Sequence, residues 1–206
     1  MKTKINREDL LREAMPWFHR QGVKDLTEAK IRKEHTLSSE EFASYFIDKE
    51  DFLRQAVELY LQDQKRAQLM LLDQDSKPVK QLLNIIRHQT LQLQPVQPSF
   101  YVQLQYLYPR VWNLYLQFTQ THSYYMFYDL LNRGIQQRSF RPDLNIEVVT
   151  KVILEEINIL LNQCLFPSHR YNLAEVFRGI FQYYLKGIST DTGCKEIDGA
   201  FVNFEL

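Results

Sequence analysis

The sequence predicts an all-α chain of about nine helices. Three observations carry that expectation. Apolar residues recur at three- and four-residue spacing along most of the chain. Only six glycines and seven prolines punctuate 206 residues, too few for the turns of an all-β fold. No stretch reads convincingly as a strand. The 45% hydrophobic fraction supplies a core and excludes a disordered chain.

The first helix covers 6–21, with Leu10, Leu11, Ala14, Trp17 and Phe18 in register and Gly22 as its stop. Pro16 interrupts it and removes one hydrogen bond. Thr27 is an N-cap for two turns over 28–34. Thr36-Leu37 connects these to a third helix. Ser38 caps that helix, and Glu41 three residues on completes a capping box. Phe42, Tyr45 and Phe46 form its inward face. Asp48 caps a longer helix that runs to about Leu72.

The segment DQDSKP breaks the pattern at 73–78, and a helix with Val79, Leu82, Leu83 and Ile86 on one face follows. After the loop PVQP at 95–98, one helix from Ser99 carries apolar residues as far as Phe118, with Pro109 inside it. Another spans about His122 to Gln137. A long helix over Ile146–Cys164 carries Val149, Ile153, Ile157, Leu160 and Leu161 inward. PSHR ends it, and Tyr171–Gly187 is the last helix. The tail from Ser189 either packs on the body or lies as an extended segment.

Composition narrows function. Lys+Arg and Asp+Glu number 25 each, so whole-chain charge points to no polyanion. Cys164 and Cys194 make neither a disulfide framework nor a zinc site. No apolar run reaches the roughly 18 residues of a membrane span, and the N-terminus has no signal-like core. The expectation is a soluble cytoplasmic protein without a membrane partner. Phosphate-binding glycine loops and nucleophile elbows are absent. The five histidines are scattered, and Glu155-Glu156 point to different helix faces. The sequence therefore predicts neither an enzyme nor a cofactor or metal.

Residues 10–53 resemble the TetR family of bacterial regulators. Leu10-Leu11, Ala14, Phe18 and Gly22 match its first helix, and Thr27 with Ile31 its second. Tyr45-Phe46-Ile47-Asp48-Lys49-Glu50 is similar to its aromatic-Phe ending followed by Lys-Glu. Residues 132–163 and 177–188 resemble its eighth and ninth helices. Arg32, Thr36, Glu41 and Ala43 depart from its usual Ala, Gly, small residue and Tyr.

The resemblance implies a DNA-binding helix-turn-helix over 1–50 and an effector-binding, dimerising domain over 51–206. It implies a ligand-responsive regulator, a repressor acting as a homodimer on operator DNA. In a helix-turn-helix the second helix enters the major groove. Ser39, Glu40, Ala43 and Ser44 face away from its core side, and these types suit cytosine N4 and thymine methyl contacts. Thr27, Ser38, Tyr45 and Lys49 match phosphate-holding positions, with Arg32 and Lys33 beside the turn. Lys2, Lys4 and Arg7 form a candidate arm.

Against this stands charge, since residues 1–50 hold ten bases and ten acids. Glu40 at the groove-entering end repels phosphate. The alternative is a TetR-like interaction or ligand-sensing protein with impaired DNA binding.

Aromatics crowd 101–128. Tyr101, Tyr108, Trp112, Tyr115, Tyr125 and Tyr128 are either core packing or the lining of a pocket for a small apolar or aromatic effector. Arg110, Asn113, Gln117 and His122 are polar candidates beside them. Ile153, Ile157, Val176, Ile180 and Tyr184 are the expected dimer interface, by resemblance.

Overall fold

Caps and apolar stripes decide where the N-terminal helices begin and which face they bury. The computed structural model describes residues 6–72, 76–97, 99–160, 162, 164–167 and 169–202. Lys2, Lys4, Leu161 and the last four residues lie outside them. Among the described residues the fold is all-helical, with one isolated antiparallel bridge between Phe140 and Ser189.

The Asn6 side chain accepts from the Glu8 N–H and opens α1 (Arg7–Gln21). Pro16 stays within α1, on its exposed side, so the lost bond falls where water solvates the free carbonyl. Thr27 caps α2 (Glu28–Glu34), and the Ser38–Glu41 capping box opens α3 (Ser39–Tyr45). The Asp48 carboxylate accepts from the Asp51 N–H at the start of α4 (Lys49–Met70). Then come α5 (Pro78–Leu93), α6 (Ser99–Leu107), α7 (Pro109–Gln117), α8 (Tyr124–Gln136) and α9 (Ile146–Leu160). The chain closes with α10 (Leu173–Phe177), α11 (Tyr183–Gly187) and α12 (Asp191–Val202).

Three differences raise nine expected helices to twelve among the described residues. The expected helix through Pro109 is two: Tyr108 leaves the helical region and Pro109 starts α7. A residue before proline is pushed out of the helical region, and proline is well suited to a first turn. The last helix is interrupted by a π-turn over Arg178–Gln182, and a second π-turn, Phe118–Ser123, joins α7 to α8. Through Val202 the tail takes the first of its two expected forms and packs on the body, as a helix, α12, with Ile197 and Phe201 buried.

Two compact units result. The first comprises 1–66 and 95–118. Its core joins Leu10, Ala14 and Phe18 of α1 to Phe42 of α3, Phe52 and Leu53 of α4, and Phe100 and Leu104 of α6. The second comprises 67–94 and 119–206, with a core built from α5, α8, α9, the 173–187 segment and α12. The packing division thus does not fall at 50/51. The apolar faces of α6 and α7 complete the core begun by α1–α4.

Candidate nucleic-acid interface and aromatic clusters

The segment 27–49 forms two capped helices around one tight turn. After α2 the Leu37 N–H donates to the Arg32 carbonyl (2.8 Å), closing the six-residue ring that ends many helices. That ring needs a left-handed residue, and Thr36 occupies it at φ +55°. A β-branched residue there is strained by about 1–3 kcal/mol. Thr36 is exposed, so its methyl and hydroxyl bury nothing that offsets the strain. Thr36→Gly is expected to raise stability by about 1 kcal/mol, or roughly 2–4 °C in melting temperature. A lower melting temperature would show that the hydroxyl makes a stabilising contact.

Phe42 and Phe46 are buried against Phe52, which fixes the orientation of α3. Ser39, Glu40, Ala43 and Ser44 are consequently all exposed, together on the outward side. The Ser44 hydroxyl donates to the Glu41 carbonyl at 2.7 Å and keeps its acceptor capacity. The Glu40 carboxyl is held below the usual range by its own backbone N–H, then by the Ser38 hydroxyl and, more weakly, by Arg32. The helix N-terminus thus stabilises a charge that looked hard to reconcile with the sequence.

The expected phosphate contacts fare unequally. Thr27 is occupied as a cap, accepting from the Lys30 N–H at 3.2 Å. Arg32 Nε lies 3.1 Å from Glu28 Oε1, so its charge is partly compensated within α2. Lys49 Nζ donates to the Leu26 carbonyl at 3.0 Å, which aims the ammonium beside the start of α2 and leaves two N–H groups. Lys33 is exposed and Tyr45 half-buried. Arg7 is bonded to Gln55 within the first turn of α1, not in an arm. Ile47, which sequence reasoning passed over, is 90% exposed between α3 and α4.

The six candidate effector residues divide between the two units. Tyr108 and Tyr115 are buried in the first, with Tyr101 and Trp112 packed against the same core. Tyr101 meets Tyr115 edge-on at 5.4 Å. Tyr125 and Tyr128 lie in the second, where Tyr124 stacks on Tyr128 at 6.1 Å and Tyr125 is 64% exposed. Arg110, Asn113 and Gln117 are exposed, and His122 shares a 2.9 Å hydrogen bond with Gln68. His19 and Tyr60 also join the first cluster, at 5.3 Å from each other. The sequence signal for His19 was its place beside Phe18 on the apolar side of α1.

Of the expected interface residues, Ile153, Ile157 and Val176 are buried in the second unit's own core. Ile180 and Tyr184 are half-buried against it. The exposed apolar side of these helices is instead marked by Ile159 and Tyr183. Among the described residues no helix is long and apolar enough to cross a membrane.

No family model and no curated protein sequence matches this chain. Solved structures do. The ketosteroid transcriptional regulator KstR2 of Mycobacterium tuberculosis is 18% identical, with a TM-score of 0.66 over 92% of this chain and 98% of that one. A TetR-family regulator from Cytophaga hutchinsonii is 14% identical, with a TM-score of 0.73 over 92% of this chain and 100% of the other. FadR from Bacillus subtilis, in complex with stearoyl-CoA, is 16% identical, with a TM-score of 0.67 over 87% and 98%. At these identities the likeness establishes architecture: the chain has the TetR-like fold of bacterial transcriptional regulators.

Proposed function

We propose that this protein is a ligand-responsive, DNA-binding transcriptional regulator, acting as a homodimeric repressor. One observation carries the reading: the capped α2–turn–α3 unit holds Ser39, Glu40, Ala43 and Ser44 together on its exposed side, with Lys33 and Lys49 beside it. Small side chains let α3 approach base edges closely, and Glu40 accepts from cytosine N4. The similar structures are transcriptional regulators, one of them holding an acyl-CoA, which supports a small-molecule effector.

A two-fold protein suits two half-sites one DNA turn apart. The pairing surface we propose is the exposed side of α9 and the 173–187 segment, with Ile180 and Tyr184 flanked by Ile159 and Tyr183. It replaces Ile153, Ile157 and Val176, whose side chains are already covered. A ligand that favours one spacing of the two α3 helices then changes operator affinity by linkage.

The test is fluorescence anisotropy against fragments from the protein's own genomic neighbourhood, at two salt concentrations. Binding of one fragment far tighter than the ~10⁻⁴–10⁻⁶ M non-specific range is expected, weakening steeply with salt. Lys33→Ala is expected to weaken all fragments alike and to reduce the salt slope by about one per removed contact. An unchanged slope would remove Lys33 from the interface.

A second reading has its own support. Glu40 and Glu41 sit at the groove-entering end, and Arg32 is compensated by Glu28. A protein that dimerises but binds no fragment at either salt concentration is an interaction or sensing protein on the same fold.

A further inference from the structure

The first unit contains a run of aromatic rings that is not purely apolar. The His19 imidazole of α1 lies edge-on to Tyr60 of α4 at 5.3 Å and to Phe100 of α6 at 5.0 Å. Phe100 meets Tyr101 at 5.2 Å, and Tyr101 meets Tyr115 of α7 at 5.4 Å. Trp112 closes the run, 6.3 Å from both Tyr101 and Tyr115.

Two polar atoms within this run are buried and have no hydrogen-bond partner: His19 Nε2 and Tyr115 Oη. Both residues are more than nine-tenths buried, at 4% and 9% exposure. An unsatisfied buried polar group is destabilising by about 1–3 kcal/mol, and native structures keep few of them without a reason. Two in one aromatic cluster, beside the partly buried Tyr60 and Tyr101, call for a guest that brings its own polar atoms.

The electrostatics define that guest. Burial pushes Tyr60 up to about 12, and Tyr101 and Tyr115 higher still, with mutual repulsion among the three phenols contributing to the last two. Burial pushes His19 down to about 4. Every one of these groups is therefore uncharged at neutral pH. Without a cation among them, the cluster gives an anionic carboxylate no countercharge for its lost hydration. An aromatic body is the apolar partner that edge-to-face packing on these rings favours. A hydroxyl both donates and accepts, so it satisfies the Tyr115 hydroxyl and the imidazole nitrogen in either tautomer.

We propose that the His19–Tyr60–Tyr101–Tyr115 cluster is the binding site for an uncharged phenolic ligand, hydrogen-bonded through Tyr115 and His19. This deepens the ligand-responsive reading and rests on it for regulatory meaning. It replaces a merely apolar effector with one that must carry a neutral hydroxyl.

The probe is 4-methylphenol, compared with toluene and benzoate by calorimetry on the wild-type protein. Trp17→Phe leaves Trp112 as the single tryptophan, so its emission reports the same site. The expected result is 4-methylphenol binding at least about tenfold more tightly than toluene, the worth of one net hydrogen bond. Benzoate binds more weakly still, and Trp112 emission changes with occupancy. Tyr115→Phe is expected to shrink the preference over toluene, leaving only the His19 bond, and to leave the ligand-free melting temperature equal or higher, because it removes an unpartnered hydroxyl.

Equal binding of 4-methylphenol and toluene, no binding of either, or a preference undiminished in Tyr115→Phe would each overturn the proposal. So would a lower ligand-free melting temperature in Tyr115→Phe. Binding as expected without any change in operator affinity supports the site and counts against the regulator reading alone. An effector that alters operator affinity yet leaves Trp112 emission unchanged overturns the site and spares the regulator.

Discussion

Gly193→Ala is expected to destabilise the protein by about 3 kcal/mol and to lower its melting temperature by roughly 6–12 °C. A Cβ on Gly193 would stand 1.9 Å from the Ser139 carbonyl oxygen and 2.8 Å from its carbon. These are backbone atoms, so no rotamer change relieves the contact; the helix or the 138–140 turn must move. The Ser139 carbonyl also accepts from the Thr190 N–H at 3.0 Å, and the Thr190 hydroxyl accepts from the Gly193 N–H at 3.2 Å. A shift of α12 thus strains its own first turn. It also loosens Ile197 and Phe201, whose burial stabilises by about 1.5–3 kcal/mol each. Lys77 and Ser139, both bonded to Glu196, hold the same face of the helix one turn on. A thermal melt by circular dichroism measures the effect. A change under about 1 °C would mean that α12 does not pack against the 138–140 turn as described.

Glu156→Gln is expected to stabilise the protein at high pH and to do nothing at low pH. The Glu156 carboxyl is half-buried on α9, one of its oxygens has no partner, and burial pushes its pKa from the ordinary 4.5 up to about 8. Between those two values the folded chain holds a proton that the unfolded chain has released. Wild-type stability therefore falls as pH rises from about 4.5 to about 8, and then levels off. Tyr184, the neighbour that senses this charge, is itself pushed up to about 12, chiefly by burial and then by Glu156, and stays neutral throughout the window. Solvent screening of a half-buried group reduces the full linkage value to roughly 2 kcal/mol. Melts of both proteins at pH 4.5, 6 and 9 test this. The gap in melting temperature should be near zero at the first and about 4–8 °C at the last. A gap that does not widen with pH would place the ionised carboxylate in water.

Local chemistry made the N-terminal helices legible. Thr27, Ser38 and Glu41 announce helix starts because a short polar side chain beside free N–H groups has few other uses. Phe42 and Phe46 reveal the buried side of α3, and the exposed set Ser39, Glu40, Ala43 and Ser44 follows from helix geometry alone. Pro109 was visible, yet its effect was misjudged: a proline reads the same at a kink as at a first turn, and the backbone of Tyr108 decides. The π-turns at 118–123 and 178–182 leave no mark in composition, since they differ from α-helix by one hydrogen-bond step.

Periodicity shows that a residue faces inward, but not which core it enters. Tyr101 and Tyr125 look equivalent in the sequence, yet one packs beneath α1 and α4 while the other is exposed in a different unit. The family resemblance assigns Ile153, Ile157 and Val176 to a dimer interface, yet they are covered by their own chain. The sequence by itself determined the all-α class, the capped pair of helices and the outward face of α3, because caps and 3.6-residue stripes act within a few residues. Only tertiary structure decided the grouping of α6 and α7 with α1–α4, the docking of α12 through Gly193, and the gathering of His19, Tyr60, Tyr101 and Tyr115 in one aromatic cluster. Those outcomes depend on contacts between residues tens of positions apart, which no local pattern encodes.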